Sequence, residues 1–390
     1  MLHAVSEIVK GIRKKVKSDY YDYSLLAIVI LLICFGLIML YSTSAYEADA
    51  KFGQDMYYFR KQALISVGAI VVAIIVSLMD YHKLIKWSLV IYIAAFILML
   101  LVLSPLGVSV NGARRWLKLG VQFQPSEIAK IGIITYLPVL IIGYGKKITT
   151  RKGFAYLVGA GMLQTIGAYL FTDNLSTAMI IFGITFIMLF IAHPNTKLFV
   201  KFIIGAVIVV AVAVLYLSLT IDSSSSFRIR RVLVWLRPEE YTSAGGYQVM
   251  QGLYAIGSGG FFGKGLGNSV QKLGTIPEAQ NDMIFSIICE ELGVFGGILT
   301  LLMFAYLLYR LFFIAQNAPD LYGSLLATGI FAHIALQVIL NICVVLNVIP
   351  TTGITLPFIS YGGTSVVFLM LEMGLALSVS RSIRFGDEGS

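Results

Sequence analysis

Carboxylates stand out in a chain that is otherwise strongly apolar. The stretch 274–297, GTIPEAQNDMIFSIICEELGVFGG, carries Glu278 and Asp282 before a hydrophobic run, and Glu290 and Glu291 within it. A positioned carboxylate can take the proton of a weakly acidic hydroxyl. On a helix, Glu290 and Glu291 would lie roughly 12–14 Å beyond Asp282. We therefore predict that Asp282 acts in chemistry, with Glu278 as its rival, and that Glu290 and Glu291 are structural groups hydrogen-bonded to neighbouring helices.

Arginine and lysine side chains gather in two segments between apolar runs. NGARRWLKLGVQFQPSEIAK (111–130) contains Arg114 and Arg115, and FRIRRVLVWLRPEEY (227–241) places Arg228 and Arg231 three residues apart, on one face of a helix. The second segment predicts a short helix in the membrane interface. Arginines in such numbers indicate an anionic ligand, because a guanidinium binds phosphate oxygens bidentately. The alternative is that long loops cross the membrane whatever their charge.

Glu127 and Lys130 lie three residues apart near one end of an apolar run. Ionisable residues within spans indicate function by default. The structural alternative is that these two side chains simply pair with each other. A little further on, Asn174 opens another apolar run, which Ser176 and Thr177 could cap.

Composition identifies the chain as a membrane protein. It has 390 residues, of which 58% are hydrophobic and 13% charged. A spanning helix needs about 20 apolar residues. The apolar runs predict an all-α polytopic fold with ten spans, at 24–44, 63–79, 87–105, 126–144, 154–171, 177–193, 198–219, 283–308, 322–347 and 361–380. The first run is too long for a signal peptide, so we expect it to be an uncleaved helix.

The basic loops predict the orientation of these spans. The segment 1–23 and the loop around Lys146 and Lys147 are rich in lysine and arginine, and short basic loops stay in the cytoplasm. Both termini are therefore expected inside, with 381–390 as a cytoplasmic tail and 220–282 as a large loop outside the membrane. We treat 1–390 as a single membrane domain.

No metal or redox site is evident from the sequence. Cys34, Cys289 and Cys343 all fall in apolar runs, and the four histidines are scattered. No cofactor is predicted with certainty, although Asp282 could bind a divalent cation, Mg²⁺ or Mn²⁺, through oxygen. The glycine-rich GSGGFFGKGLGNS (257–269) lacks the spacing of a phosphate loop. Two interpretations remain: a flexible turn, or backbone that approaches a bulky ligand closely.

Several motifs in a fixed order resemble the SEDS family of bacteria, which includes RodA, FtsW and SpoVE. They are NGARRW, FQPSEIAK, GYQVMQGLYAIGSGGFFGKGLGNS, PEAQNDMIFSIICEELG and LPFISYGGTS. The resemblance extends nearly end to end and is closer to the FtsW and SpoVE branch. It implies ten spans in the bacterial cytoplasmic membrane, with a large outer loop before the eighth. It also implies a peptidoglycan glycosyltransferase that polymerises lipid II on the outer face, in division, sporulation or cell-shape maintenance.

The resemblance assigns roles to particular residues. Asp282 matches the family's essential aspartate, and Glu127 and Lys130 match its acid–base pair. The remaining matches are substrate-binding positions: Arg114, Arg115, Arg228, Arg231, Gln248, Gln251 and Lys264. Glu278 joins this group as a neighbour of Asp282. The chain departs from the family pattern at Asn174, where many members have aspartate, and at Asn281 and Met283.

The implied partners are lipid II, membrane lipid, a class B penicillin-binding protein and proteins of a division or elongation complex; no nucleic acid is expected. Two alternatives to a polymerase stay open. A lipid II flippase would need polar passage at both membrane faces, whereas the inner loops here are short. A scaffold without activity would leave the arginines unexplained.

Overall fold

The computed structural model describes residues 20–110, 113–220, 227–242, 245–274 and 276–384. Within these ranges the chain forms twelve α-helices and a small three-stranded sheet. The helices are α1 Tyr23–Phe52, α2 Tyr57–Leu78, α3 Lys83–Leu101, α4 Pro125–Tyr144, α5 Arg151–Phe171, α6 Leu175–Ala192, α7 Thr196–Thr220, α8 Phe227–Leu236, α9 Gly246–Ser258, α10 Ile284–Asn317, α11 Leu321–Val345 and α12 Ser365–Ser380. The strands are β1 Gly107–Val110, β2 Ala113–Leu119 and β3 Val121–Phe123, and a 3₁₀ turn follows α4 at Gly145–Thr149.

The predicted all-helical membrane fold is confirmed. Nine helices of the described chain, α1 to α7 with α10 and α11, are long and apolar enough to cross a membrane, and each overlaps a predicted span. The tenth predicted span, 361–380, contains α12, which has only 16 residues. Non-helical, largely buried backbone at 354–360 precedes it, and such backbone is tolerated at membrane depth when protein surrounds it. The count of ten spans stays a prediction.

The bundle is built around α4. Most of its residues are buried, and it packs against α3, α5, α6, α11 and α12. Gly132 brings α4 close to α3, where an added Cβ would lie 3.3 Å from the Tyr92 Cα. In contrast, α7 exposes nearly its whole apolar surface. Lipid is the natural solvent for such a helix, and α7 is held to the bundle by a few contacts near its start, such as buried Phe199 against Phe186 of α6, whereas close packing surrounds α4.

Buried polar side chains connect different helices of the bundle. Asp22, which caps α1, accepts from the Arg310 guanidinium of α10 at 2.8 Å. In the interior, His333 Nδ1 of α11 lies 2.7 Å from Glu372 Oε2 of α12. The sequence predicted neither pair, because each joins segments that no local pattern connects.

The sheet 107–123 was not predicted. β1 and β3 pair antiparallel with β2 on either side, at the end of the bundle that carries the long loop, which we call the loop end. β2 contains Arg114 and Arg115, which the sequence placed in an irregular loop. A register shift leaves Arg115 without a partner residue on β1, and the two neighbouring arginines make different contacts, Arg114 with the Ser104 carbonyl and Arg115 with the Asp173 carbonyl.

The glycine-rich segment 257–269 packs against a break in α10. Gly293 of α10 has φ +69°, which interrupts the helical hydrogen bonding there. Lys264 N–H and Gly265 N–H donate to the carbonyls of Glu290 and Glu291 at 3.0 and 2.9 Å. A Cβ at Gly263 would lie 2.1 Å from the Glu291 carbonyl oxygen. The glycines therefore let the backbone of this segment approach α10, a helix of the same chain, closely.

Candidate active site at the loop end

Asp282 lies in the turn that leads into α10. Asn341 of α11 fixes this turn, because its Nδ2 donates to the Asp282 carbonyl at 2.9 Å and to the Ile354 carbonyl at 2.7 Å. Gly353 is adjacent: a Cβ there would lie 3.9 Å from Asp282 Oδ2, and its φ of +74° favours glycine. The carboxylate is thus bordered by backbone of the segment between α11 and α12, a contact that the sequence did not reveal.

The environment of Asp282 raises the pKa of its carboxyl group above the ordinary value for aspartate. Burial raises the pKa of Asp282 to about 6, and the negative charge of Glu278 adds to this rise. The backbone N–H of Asp282 and the positive charge of Arg231 lower the pKa and so limit the rise. Among the described residues Asp282 forms no ion pair. A carboxylate with a pKa near the operating pH is suited to general-base catalysis.

Arg231 lies in electrostatic range of this carboxylate and Arg115 in range of Arg231, and both guanidinium groups are half-buried. Arg231 of α8 donates to the Thr351 carbonyl at 3.1 Å, and Arg115 of β2 donates to the Asp173 carbonyl at 3.1 Å. Burial lowers the pKa of Arg231; the charge of Arg115 lowers it further, and Asp282 and Asp173 oppose both effects. Burial also lowers the pKa of Arg115, with Asp173 opposing. An anion between the two guanidiniums would stabilise both charges.

Arg115, Asp173, Arg231, Glu278 and Asp282 therefore form one electrostatic group, which we call the Asp282 cluster. Asp173 is the member that sequence reasoning missed. Its φ of +44° places it in a sharp turn before α6, and a signal was present in the polar run TDN. The Thr351–Gly353 segment was missed as well, because nothing in its composition indicates chemistry.

Asn174 caps α6, a role that the sequence offered instead to Ser176 and Thr177. Its Oδ1 accepts from the Thr177 N–H at 3.1 Å, whereas Ser176 Oγ donates to the Thr352 carbonyl at 2.5 Å. Asparagine and aspartate are about equally good N-caps. The departure at Asn174 therefore preserves the cap, and the neighbouring Asp173 supplies a carboxylate to the cluster.

Glu127 and Lys130 form the ion pair that the sequence allowed, with Lys130 Nζ 2.9 Å from Glu127 Oε1. Both are buried in the first turns of α4. Glu278, at φ +51°, accepts from Asn281 Nδ2 at 2.9 Å. On α9, Gln248 and Gln251 are half-buried. This helix contacts the turn at Asp282, because a Cβ at Gly252 would lie 2.3 Å from Met283 Cε.

For three predicted site residues the structure shows contacts with other groups or describes no side chain. Arg114 is exposed and donates to the carbonyl of Ser104, in its own loop. Lys264 donates to Glu290 Oε1 at 2.7 Å and remains one-third exposed. The side chain of Arg228 lies outside the described residues.

Glu290 and Glu291 are held mainly by the long loop rather than by neighbouring helices. Glu291 pairs with Lys272 at 2.7 Å and also accepts from Ser42 of α1 at 2.7 Å. Among the partners found in the described residues, Ser42 alone lies on another helix, as the sequence predicted. Within the described part of the chain, no group of three or more histidine, cysteine, aspartate or glutamate side chains could hold a metal ion, and the divalent cation at Asp282 stays a prediction.

Fold and site together define a multi-pass helical membrane protein with a cluster of charged residues at one end of its bundle. The family model described as "Cell cycle protein", for FtsW, RodA and SpoVE, matches residues 22–384. The chain belongs to this family.

The chain is 40% identical to stage V sporulation protein E of Bacillus subtilis, over 93% of this chain and 98% of that protein. It is 36% identical to the probable peptidoglycan glycosyltransferase FtsW of Trichlorobacter lovleyi, over 96% of each chain. Both relatives support the FtsW and SpoVE branch. The chain is also similar to a solved structure, a chain of a peptidoglycan synthase complex that coordinates polymerization and crosslinking. The TM-score is 0.76 and the identity 27%, over 93% of this chain and 98% of that one.

Proposed function

We propose that the chain is a peptidoglycan glycosyltransferase that polymerises lipid II, with the Asp282 cluster as its active site. One observation carries the proposal: Asp282, which forms no ion pair among the described residues and whose pKa is raised to about 6, lies in electrostatic range of the half-buried Arg231, and Arg231 lies in range of Arg115. The carboxylate suits the activation of a sugar hydroxyl. The arginines suit a pyrophosphate leaving group.

In this mechanism Asp282 takes the proton from the attacking sugar hydroxyl as the new glycosidic bond forms. The bond from the donor sugar to the pyrophosphate breaks, and negative charge grows on the leaving oxygen. Arg115 and Arg231 stabilise that charge, because fixed cations aimed at a developing charge lower the barrier. Glu127 and Lys130, with Arg114, Arg228, Gln248, Gln251, Lys264 and Glu278, are proposed as further substrate contacts.

The test is polymerisation of fluorescent lipid II by the purified full chain, with and without a class B penicillin-binding protein. Glycan strands on a gel, absent without the chain, are the expected result. Lipid II that changes leaflet in vesicles without polymerising would instead support the flippase alternative. The solved synthase complex supports a penicillin-binding protein as partner.

We further propose that the loop end faces outward from the bacterial cytoplasmic membrane and that both termini are cytoplasmic. Lys147→Cys should then react with a membrane-impermeant thiol reagent only from the cytoplasm, and Glu240→Cys only from outside. Both replacements would be made in a background without the native cysteines. The reverse pattern at either position would overturn the orientation.

A further inference from the structure

The charged neighbours of Asp282 differ in chemistry. Arg231 acts on Asp282 and also on Arg115, whereas Glu278 acts on Asp282 and also on Lys51 of α1 and Tyr58 of α2. We call the surroundings of Arg231 the first side of Asp282 and those of Glu278 the second side. An anionic group is attracted by the cations of the first side and repelled by the carboxylate of the second, so the second side needs a ligand of another kind.

An aromatic surface adjoins the second side. Its members are Glu47, Lys51, Phe52, Tyr57, Tyr58 and Tyr361, and we call it the aromatic face. The Phe52 and Tyr57 rings stack with centroids 4.0 Å apart, and Tyr58 contacts Phe52 and Tyr361 at 5.8 and 5.1 Å. Lys51 pairs with Glu47 beside these rings.

The aromatic face is joined to the turn that carries Asp282. Gln280 Nε2 donates to Glu47 Oε2 at 2.9 Å, and the Tyr361 N–H donates to the Gln280 carbonyl at 2.9 Å. Gln280, two residues before Asp282, therefore connects the Asp282 turn to Glu47 and Tyr361 of the aromatic face. A polymer that leaves Asp282 on this side meets the aromatic face next.

The height of the face above the membrane suits a water-soluble ligand. α1 has 30 residues and rises about 45 Å, whereas the hydrocarbon core is about 30 Å thick. Its last turns, which contain Glu47, Lys51 and Phe52, therefore project beyond the hydrocarbon. Phe52 is nearly half exposed, at 48%.

The chemistry of the face selects among ligands. Lipid tails are disfavoured by the charges of Glu47 and Lys51, and pyrophosphate is disfavoured because Glu47 already neutralises the one lysine of the face and the Glu278 charge lies nearby. Sugar rings fit both features: their C–H faces pack on aromatic rings, and their hydroxyls bond to carboxylate and ammonium groups. We propose that the aromatic face binds the saccharide part of the growing glycan strand next to Asp282. The inference rests on the proposed function.

Two variants with matched chemistry test this subsite. Phe52→Ala with Tyr57→Ala removes the stacked rings of the face. Phe261→Ala with Phe262→Ala removes another pair of exposed neighbouring rings, 4.8 Å apart, away from the Asp282 turn. Phe52→Trp with Tyr57→Trp keeps aromatic surface and controls for folding.

The first measurement is saturation-transfer NMR of the full chain with a short, lipid-free and peptide-free oligosaccharide of alternating N-acetylglucosamine and N-acetylmuramic acid. The wild type and the tryptophan variant should bind, as should the Phe261 and Phe262 variant. Loss of the two stacked rings should weaken binding about tenfold, the effect of one or two aromatic contacts. Equal binding by the Phe52 and Tyr57 alanine variant, or equal loss in the Phe261 and Phe262 control, would overturn the subsite.

The second measurement is glycan length from fluorescent lipid II. Loss of the face should shorten strands while the first coupling keeps its rate, because the subsite holds product and not the reacting atoms. Unchanged strand length overturns the subsite and leaves the proposed function intact. A wild type that binds the oligosaccharide but does not polymerise lipid II has the opposite meaning: the proposed function fails and the saccharide site stands.

Discussion

Asp282, just before α10, and Glu290 and Glu291, at the break in α10, carry the same chemical group but have different partners. Glu290 and Glu291 each accept from a lysine at 2.7 Å, and the Ser269 hydroxyl also donates to Glu290. Asp282 forms no ion pair within the described chain, and its pKa is raised to about 6. A carboxylate whose charge is already neutralised by a partner is a poor base. The difference in partners is therefore the reason why we propose a catalytic role for Asp282 and a structural role for Glu290 and Glu291.

The largest effect should follow removal of the unpaired carboxylate. Asp282→Asn keeps the shape of the side chain but cannot accept the proton, so polymerisation should fall by at least about 10². Gel analysis of strands, normalised to folded protein by size exclusion, measures this loss. Full activity in a folded Asp282→Asn variant would remove the catalytic role.

The arginines should have the next largest effect. Arg231→Ala and Arg115→Ala each remove a charge-assisted phosphate contact, and each should lower the polymerisation efficiency about tenfold to a hundredfold. Arg230→Ala is the matched control, because Arg230 is the exposed neighbour on the same helix. If the Arg230 and Arg231 variants lose activity equally, general surface charge and not a pyrophosphate site is responsible.

The paired carboxylates should affect stability instead of turnover. Glu290→Gln and Glu291→Gln should each lower the free energy of unfolding by about 1–3 kcal/mol. The loss should be larger at Glu291, because its partner Lys272 is 8% exposed while Lys264 is 33% exposed and can rehydrate. Thermal unfolding in detergent, with activity per folded molecule, separates the two effects. A folded but inactive Glu290→Gln variant would mean that the catalytic carboxylate lies at the break in α10.

The smallest effect is expected at Asn174. Because asparagine and aspartate cap helices about equally, Asn174→Asp should leave thermal stability nearly unchanged, while Asn174→Ala should cost about 1 kcal/mol. Thermal unfolding of the three proteins checks the order. A large change in polymerisation with Asn174→Asp would show that this position acts on the Asp282 cluster and does more than cap α6.

The sequence predicted those structural features that depend on the residues of a single segment. Hydrophobic runs predicted the long helices, and FRIRRVLVWL predicted α8, because apolar spacing is local. It could not predict partners across the fold: Arg231 meets the Thr351 carbonyl 120 residues away, and Lys264 meets Glu290 26 residues away. Such contacts depend on how helices and loops pack. For the same reason the sequence did not predict the ion pair of Lys264 with Glu290, and a contact of Lys264 with substrate stays a prediction.

The pH dependence of polymerisation tests the central claim most directly. Asp282 must be ionised to accept a proton, so the rate at low lipid II concentration should fall as the pH drops through about 6, the raised pKa of this group. Because the charge of Glu278 adds to that shift, Glu278→Gln should move the acid limb to lower pH, and Glu240→Gln on the exposed loop should not. An acid limb near 4, the ordinary value for aspartate, or one that is unmoved in Glu278→Gln, would contradict the account.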